Sequence, residues 1–497
     1  MSFFPDRTSA IALHRQLATH LRDAILAGEL AGGTRLHASR TLAQQLGVSR
    51  NTVTQALDQL VAEGYLETRA GAGTYVANGL TPRARSAGGP AAEAPRLSVR
   101  AQRFVTARDP EGGSEPGLFR PGVPDLSLFP AAAWRRIANR WLDTDATRGY
   151  GDPCGFRPLR EAIAAQLRQT RGVTLGASNV IVIEGTRAAL ALIADVLVDP
   201  GEPVAVEDPG YSAMRDAVAA ASGTLVPVAL DDDGFDVARA PADARLAYVT
   251  PSHQYPTGVV MGLRRRLELL AWARAANAYV VEDDYDAEFR YDGAPLPALQ
   301  GLDASTSSAQ ARVLHVGTFS KTLAPGLRAA WIVVPDALVD AFAAARAVAS
   351  GGPVFPLQAA LAAFVADGHL ALHVRRASAV YRERRDALAS ALERRLGGVV
   401  RVQGAATGLH LVARFEGDDV AVSDAAAAEN VIAPPLSAYA LDGHGPTGLV
   451  LGFAAAGPIA IERAAERLER AFAAARHPAG APNRPSTASG RPRTIAR

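Results

Sequence analysis

Gly317-Thr-Phe-Ser-Lys-Thr-Leu-Ala-Pro-Gly-Leu-Arg328 contains the only lysine in this 497-residue chain. Lysine and arginine together total 52, so with a single Lys321 the remaining 51 are arginine. An average chain of this length carries on the order of a few tens of lysines. The Ala-, Arg- and Gly-heavy composition points to a coding bias that exchanges Lys for Arg wherever only a positive charge is needed. Arginine cannot take over covalent chemistry, because its guanidinium stays protonated, whereas a lysine amine can be tuned into a nucleophile. The alternative is chance retention at a surface position. Against it, Lys321 is flanked by hydroxyls, and Arg328 stands seven residues downstream, placed to clamp a phosphate.

Around this stretch, strand-like runs at Val180–Ile183, Val204–Val206, Leu246–Val249, Tyr279–Val281, Val313–Val316 and Trp331–Val334 alternate with helical patterns. That alternation predicts an α/β domain with a mainly parallel sheet, whose ligand sites lie at the carboxyl ends of strands. Two further motifs fall at such ends. Gly185-Thr-Arg187 opens a helix whose first amides and dipole suit a phosphate, although many strand–helix turns carry Gly-Thr for geometry alone. Glu282-Asp-Asp-Tyr-Asp286 offers an acid for a protonated ring nitrogen and a tyrosine for a ring hydroxyl; alone it reads equally as a solvated acidic loop. Three weak signals at three strand ends of one domain are jointly strong.

The remaining composition sets bounds. The chain is 48% hydrophobic and 21% charged, ordinary for a soluble globular protein, and its length suits two or three domains. A net charge of +2 argues neither for nor against nucleic acid. One cysteine, Cys154, excludes an intramolecular disulfide framework and fits a reducing compartment. There is no signal-like segment and no run of 18 apolar residues, so the expected location is the cytoplasm, with no membrane contact. Composition shifts divide the chain into residues 1–78, a Pro/Ala/Gly/Arg-rich linker at 79–116, an α/β domain at 117–477, and a basic, Pro/Ser-rich tail at 478–497 expected to be disordered.

Within residues 1–78, Leu13, Leu17, Leu21 and Ile25 recur every four residues, predicting a helix stopped by Gly28. A second helix is expected at Ser39–Leu46, burying Leu42, Ala43 and Leu46. After a Gly47-Val48 turn, Ser49 would cap a third helix running to about Glu63, with Val53, Leu57, Leu60 and Val61 inside. Short strands around Tyr65–Thr68 and Thr74–Ala77 complete a winged helix-turn-helix. Its third helix presents Ser49, Arg50, Asn51, Thr52 and Thr54 at the end that enters a major groove, where Arg pairs with guanine and Asn with adenine. Arg40, Arg69 and Gly71 are placed for phosphate or minor-groove contact. Seven arginines against six acids make the charge signal weak, so a helix-turn-helix used for protein contact is the alternative.

Leu42-Ala-Gln-Gln-Leu-Gly-Val-Ser-Arg-Asn-Thr-Val53, Leu60-Val-Ala-Glu-Gly-Tyr-Leu66 and Gly71-Ala-Gly-Thr-Tyr-Val76 closely resemble the DNA-binding domain of GntR-type bacterial regulators. One departure is Leu36-His-Ala-Ser-Arg40, where that family usually has Leu-Pro-Ser-Ser-Arg. The larger domain resembles a fold-type I aminotransferase, and the whole chain is similar to the MocR subfamily of GntR regulators. The resemblance implies a pyridoxal 5′-phosphate (PLP) cofactor in Schiff-base linkage to Lys321. It implies Asp283 on the pyridinium nitrogen, with Asp284 a neighbouring contender, and Tyr285 on the phenolate oxygen. Gly185, Thr186, Arg187, Thr318, Ser320 and Arg328 would surround the phosphate, Tyr211 would stack on the ring, and Tyr150 would serve the neighbouring subunit of a head-to-tail homodimer. The partner implied for the N-terminal domain is a double-stranded DNA operator.

Two departures bear on activity. Where aminotransferases carry Asn-Pro-Thr-Gly, this chain has Ser252-His-Gln-Tyr-Pro-Thr-Gly258, with Tyr255 in the Asn position, a pattern that MocR-like regulators share. In Gly448-Leu-Val-Leu-Gly-Phe-Ala454, Val450 stands where an arginine for the substrate α-carboxylate is expected, and no arginine lies between Arg414 and Arg463. A carboxylate left unpaired in a dry pocket is costly. The expected function is therefore a transcription regulator that senses PLP itself. The alternatives are a regulator that senses an amino acid or amine through the cofactor, and a working aminotransferase that also carries a DNA-binding domain. No metal site is expected.

Overall fold

The computed structural model describes residues 3–69, 71–79, 96–98, 100–102, 117–142, 149, 151–293, 296–303, 310–350, 354–443 and 445–476. The chain divides into two compact units, Met1–Arg96 and Leu97–Arg497. The expected tail at 478–497 and most of the expected linker lie outside the described residues.

In the N-terminal unit, α1 (Leu13–Leu26), α2 (Ser39–Leu46) and α3 (Arg50–Ala62) pack around Leu17, Leu21, Leu42, Leu46, Val53, Leu57 and Leu60. Gly47, in the left-handed region at φ 62°, ends α2 and lets the chain turn within two residues. The Ser49 hydroxyl then accepts the Thr52 amide and caps α3. Val61, expected inside, is 36% exposed. It lies about 100° round the helix from Leu60, beyond the stripe set by Val53, Leu57 and Leu60. The wing strands β1 (Leu66–Arg69) and β2 (Gly73–Val76) pair antiparallel, with Leu66 opposite Val76. A third segment was not legible: Arg35 bridges to Tyr75, and the Leu36 amide donates to the Thr74 carbonyl.

The C-terminal unit is built on eight strands: β3 (Val180–Ile183), β4 (Pro203–Asp208), β5 (Thr224–Asp231), β6 (Gly234–Phe235), β7 (Leu246–Val249), β8 (Tyr279–Asp283), β9 (Val313–Thr318) and β10 (Ala330–Val333). Their order is β3-β10-β9-β8-β7-β4-β5-β6. The central pairs are parallel, and β10 runs antiparallel to both neighbours. Because β10 reverses, β3 and β9 point the same way, and their carboxyl ends share one edge with those of β8, β7 and β4. Ile181, Val206, Val281, Leu314 and Ile332 are buried on one side of the sheet and Val182, Ala205, Val280, Val313 and Val333 on the other, so these strands are apolar on both faces, as helices covering both sides require. β5 escaped the sequence reading because Pro227 interrupts it. Proline is tolerated there because β6 pairs only with Leu230 and Asp231, so Pro227 has no ladder partner on that side.

A second, antiparallel sheet comprises β11 (Arg401–Gln403), β12 (His410–Arg414) and β13 (Gly448–Gly452). Leu411, Leu449 and Leu451 of this sheet pack against Leu388 and Leu392 of the helix His369–Leu396, and Ile461 and Leu468 of the helix Pro458–Arg476. Among the described residues no single helix is long and apolar enough to cross a membrane.

Candidate cofactor and DNA sites

The run from Glu282 to Asp286 ends β8 and is buried, which overturns the solvated-loop reading of these acids. Each carboxylate has its own partners. Glu282 accepts the amides of Leu299 and Gln300 at 2.7 and 3.1 Å. Asp284 takes both arms of the Arg171 guanidinium, at 2.7 and 3.1 Å. Burial is the strongest single influence and opposes its ionisation, but the Arg171 charge, the His315 charge and the hydrogen bonds from Ser252 and Arg171 together hold the carboxyl below its usual range. Asp286 receives His253 Nδ1 at 3.0 Å. Asp283 differs from the other three. Its Oδ2 accepts the Tyr248 hydroxyl at 2.8 Å, while its Oδ1 is buried with no hydrogen-bond partner among the described residues. Burial, with one hydroxyl as its only direct donor, pushes this carboxyl up to about 7. Of the two neighbouring acids, Asp284 is committed to Arg171 and Asp283 has an unmet acceptor.

Lys321 sits in the short helix Phe319–Thr322 that follows β9, and its Nζ donates to the Gly122 carbonyl at 2.7 Å. Its charge acts on both Asp283 and His410, so the amine lies within electrostatic reach of the unmet carboxylate. Gly185 precedes the helix Thr186–Leu197 with φ 104°. A Cβ there would lie 2.7 Å from Arg328 Nη2, so only glycine lets the guanidinium cross this turn. Arg328 in turn donates to the Glu184 carbonyl at 2.8 Å. A helix N-terminus and a guanidinium thus converge at the end of β3, an arrangement that suits an anion.

Other candidates point elsewhere or are already engaged. Arg187 pairs with Asp216 at 3.3 Å and lies over the Tyr211 ring, 5.8 Å from its centroid. The Thr318 hydroxyl accepts the Ser320 amide at 3.0 Å and so caps the Lys321 helix, with Ser320 Oγ 3.0 Å away. Tyr285 donates its hydroxyl to the His253 carbonyl at 2.9 Å. Tyr211 packs edge-on against Tyr255, whose hydroxyl lies 3.2 Å from that of Tyr439. Tyr255, Tyr285, Tyr439 and Val450 form one buried cluster, so the expected carboxylate-arginine position is filled by an apolar contact. Tyr150 lies outside the described residues.

In the N-terminal unit, Arg40, Arg50, Asn51, Thr54, Arg69 and Gly71 are exposed. Ser49 and Thr52 are joined to each other at 2.8 Å in the cap, and the Thr54 hydroxyl donates back to the Arg50 carbonyl at 3.0 Å. These three hydroxyls therefore shape the helix start, while Arg50 and Asn51 project from it. Arg69 stacks 4.4 Å from the Tyr75 ring centroid and pairs with Glu67 at 2.5 Å.

Residues 13–76 match the family of bacterial regulatory proteins called gntR, and residues 122–468 match aminotransferase class I and II. The probable rhizopine catabolism regulatory protein MocR of Rhizobium meliloti is 40% identical over 480 residues, 94% of this chain and 95% of that protein. The chain belongs to the MocR subfamily of GntR-type regulators. A second member, the HTH-type pyridoxine biosynthesis transcriptional regulator PdxR of Corynebacterium glutamicum, is 32% identical across 88% of this chain and 91% of its own length. Among solved structures, the kynurenine aminotransferase of Pyrococcus horikoshii superposes with a TM-score of 0.67 at 27% identity, covering 78% of this chain and 96% of that one. As a MocR-type protein the chain is a transcriptional regulator with an aminotransferase-like domain, and that fold family is PLP-dependent.

Several residues at the site of this MocR-type regulator carry no local sequence signal. Tyr248 reads as a core strand residue, and Gly122 reaches Lys321 across 199 positions, so neither carries a local signal. His253, Asp286 and His410 form a buried group beneath Tyr255 and Tyr285 that a sequence without metal motifs did not suggest. His410 Nε2 faces the Pro256 carbonyl at 3.0 Å, and burial, aided by the neighbouring His253, pushes its pKa well below the usual value. For the DNA face, Asn51→Ala and Arg50→Ala are each expected to cost about 1–3 kcal/mol of specific binding and to relax preference at one base position. Ser49→Ala is expected to lower unfolding stability by about 1 kcal/mol. Binding to operator variants and denaturant unfolding check these separately.

Proposed function

We propose that the C-terminal unit holds PLP on Lys321, and that the presence of this cofactor controls how the N-terminal unit engages an operator. The observation that carries this reading is Asp283 Oδ1, buried without a donor beside a Tyr248-bound Oδ2. A protonated pyridine nitrogen has the charge and the hydrogen that this oxygen lacks. The rest of the site fits the same group. Lys321 would hold its carbonyl carbon, Gly185, Thr186 and Arg328 its phosphate, with Arg187, Thr318 and Ser320 around them, and Tyr211 its ring face. Tyr285 and Tyr255 would border the phenolate oxygen. When bound, PLP supplies an electrophilic carbonyl to the Lys321 amine. Asp283 would keep the ring nitrogen protonated, and Arg171 keeps the adjacent Asp284 from competing for it.

The effector in this reading is PLP itself, and the protein acts without catalytic turnover. Val450 is fully buried among tyrosines, so the site offers a substrate carboxylate no arginine at that position. The similarity to a regulator named for pyridoxine biosynthesis supports this. The protein would work as a head-to-tail homodimer, with residues 79–116 linking the two units and Tyr150 reaching the neighbouring subunit. The 40% identity to a regulator named for a catabolic pathway, not for pyridoxine, favours a second reading, in which an amino acid or amine sensed through the cofactor is the effector. Titrating the PLP-loaded protein with amines and amino acids separates the two. An unchanged visible spectrum with every compound is expected, and conversion of the spectrum by one of them would reject PLP as the sole effector.

A further inference from the structure

A cavity of about 720 Å³ lies between β5, the strand next to the edge of the large sheet, and the three-stranded sheet, lined in part by Asp231, Thr257, Arg401, Gln403 and Arg414. The antiparallel register sets Arg401 directly opposite Arg414. Directly opposed side chains share a face with their Cβ atoms ~5 Å apart, and like charges there are destabilising. Neither guanidinium has a carboxylate within ion-pair distance among the described residues, although other arginines of this unit are paired. Arg414 donates Nε to the Thr447 carbonyl at 3.0 Å, which orients its two terminal nitrogens. Burial and the Arg401 charge both make the Arg414 cation harder to keep.

The acids around the cavity do not relieve this. Asp231 is taken by Arg265 at 2.6 Å, and Asp208 by Arg215 at 3.4 Å and the Leu441 amide at 2.9 Å. Asp232 and Asp442 also line the cavity but lie beyond ion-pair distance of both guanidiniums. Gln403 lies two residues along β11, on the same face as Arg401, and donates to the Thr257 carbonyl at 3.1 Å. A Cβ on Gly258 would come within 2.5 Å of Gly404, so these two segments touch at the backbone and hold the cavity wall in place. Asp419 is the one carboxylate whose charge favours the Arg414 cation, and it is held by the Ser437 and Gly448 amides and the Ser437 hydroxyl. The result is a doubly cationic face that makes no ion pair among the described residues, in a cavity large enough for a metabolite.

We propose that this cavity binds a small doubly charged oxyanion, a dicarboxylate or a phosphate ester, clamped between Arg401 and Arg414. The site shares no residue with the Lys321 site and does not depend on the PLP reading. The test is thermal unfolding of the full chain in inorganic phosphate, in succinate, and in chloride of equal ionic strength. At saturation at least one probe is expected to raise the midpoint by roughly 2–4 °C over chloride. Arg401→Gln and Arg414→Gln should lose that rise, while melting in chloride no lower than wild type, because one of two facing like charges is gone. Arg328→Gln, which removes the other candidate anion site, should keep it. A rise with phosphate alone assigns a phosphoryl ligand, and a rise with succinate alone a carboxylate. A rise that persists in both Arg401→Gln and Arg414→Gln, or no rise with either probe, overturns the proposal.

Discussion

Lys321→Ala is expected to abolish the visible absorption that follows incubation of the protein with PLP. After borohydride reduction, wild type should keep one added pyridoxyl group by mass, and the variant none. PLP affinity should fall on the order of 100-fold or more, about 2.8 kcal/mol, because a covalent link and a buried charge contact vanish together. The chain holds no second lysine that could substitute. Retained covalent labelling in Lys321→Ala would place the amine elsewhere, at the chain's N-terminus, and would remove the basis for the site. Because Lys321 is only part-buried and its partner is the Gly122 carbonyl, the variant should keep its fold, which circular dichroism and the unfolding midpoint check.

Arg171→Met is expected to have the largest effect on stability. Arg171 is 8% exposed, donates to both oxygens of Asp284, and reaches Ser252 Oγ at 2.7 Å and the Leu296 carbonyl at 2.6 Å. Methionine keeps much of the volume but leaves a buried carboxylate without its paired guanidinium, a loss of about 3–5 kcal/mol. The sign with pH follows from Asp284. With Arg171 present its folded pKa lies below the ordinary carboxylate value, so its contribution is present above that value. It is lost as pH falls through the depressed folded value. Without Arg171, burial favours the neutral carboxyl, so the variant weakens as pH rises above the ordinary value. The stability gap between wild type and variant should therefore be wide at neutral pH and narrow on acidification. Denaturant midpoints at several pH values measure it, and a gap independent of pH would assign the loss to packing alone.

Much of the fold was legible because it rests on local pattern. Helix α2 spans the residues that its apolar spacing and the glycine after it indicate, and β3 and β7 coincide with short Val/Ile/Leu-rich runs. Pro227 hid β5, and the three-residue β11 offers too little pattern to read. For the site, residue types at strand ends drew attention to Lys321, Asp283, Gly185 and Arg328, because covalent and anion chemistry restricts which side chains can serve. What those side chains do in space was not legible. Adjacent Asp283 and Asp284 look alike in sequence and differ only because Arg171, more than a hundred residues away, claims one of them. Likewise the Arg401–Arg414 pair arises from a strand register that no single segment displays.

We propose that PLP on Lys321 alters DNA engagement. Its most direct measurement is the affinity of the full-length protein for a DNA fragment it selects from a random-sequence library, with and without PLP, for wild type and Lys321→Ala. The comparison should be made at two salt concentrations, since phosphate contacts make affinity strongly salt-dependent. PLP is expected to shift the affinity of the wild type, or the bend it imposes on the fragment, and to leave Lys321→Ala unchanged. Wild-type binding and bending that are the same with and without PLP would contradict it.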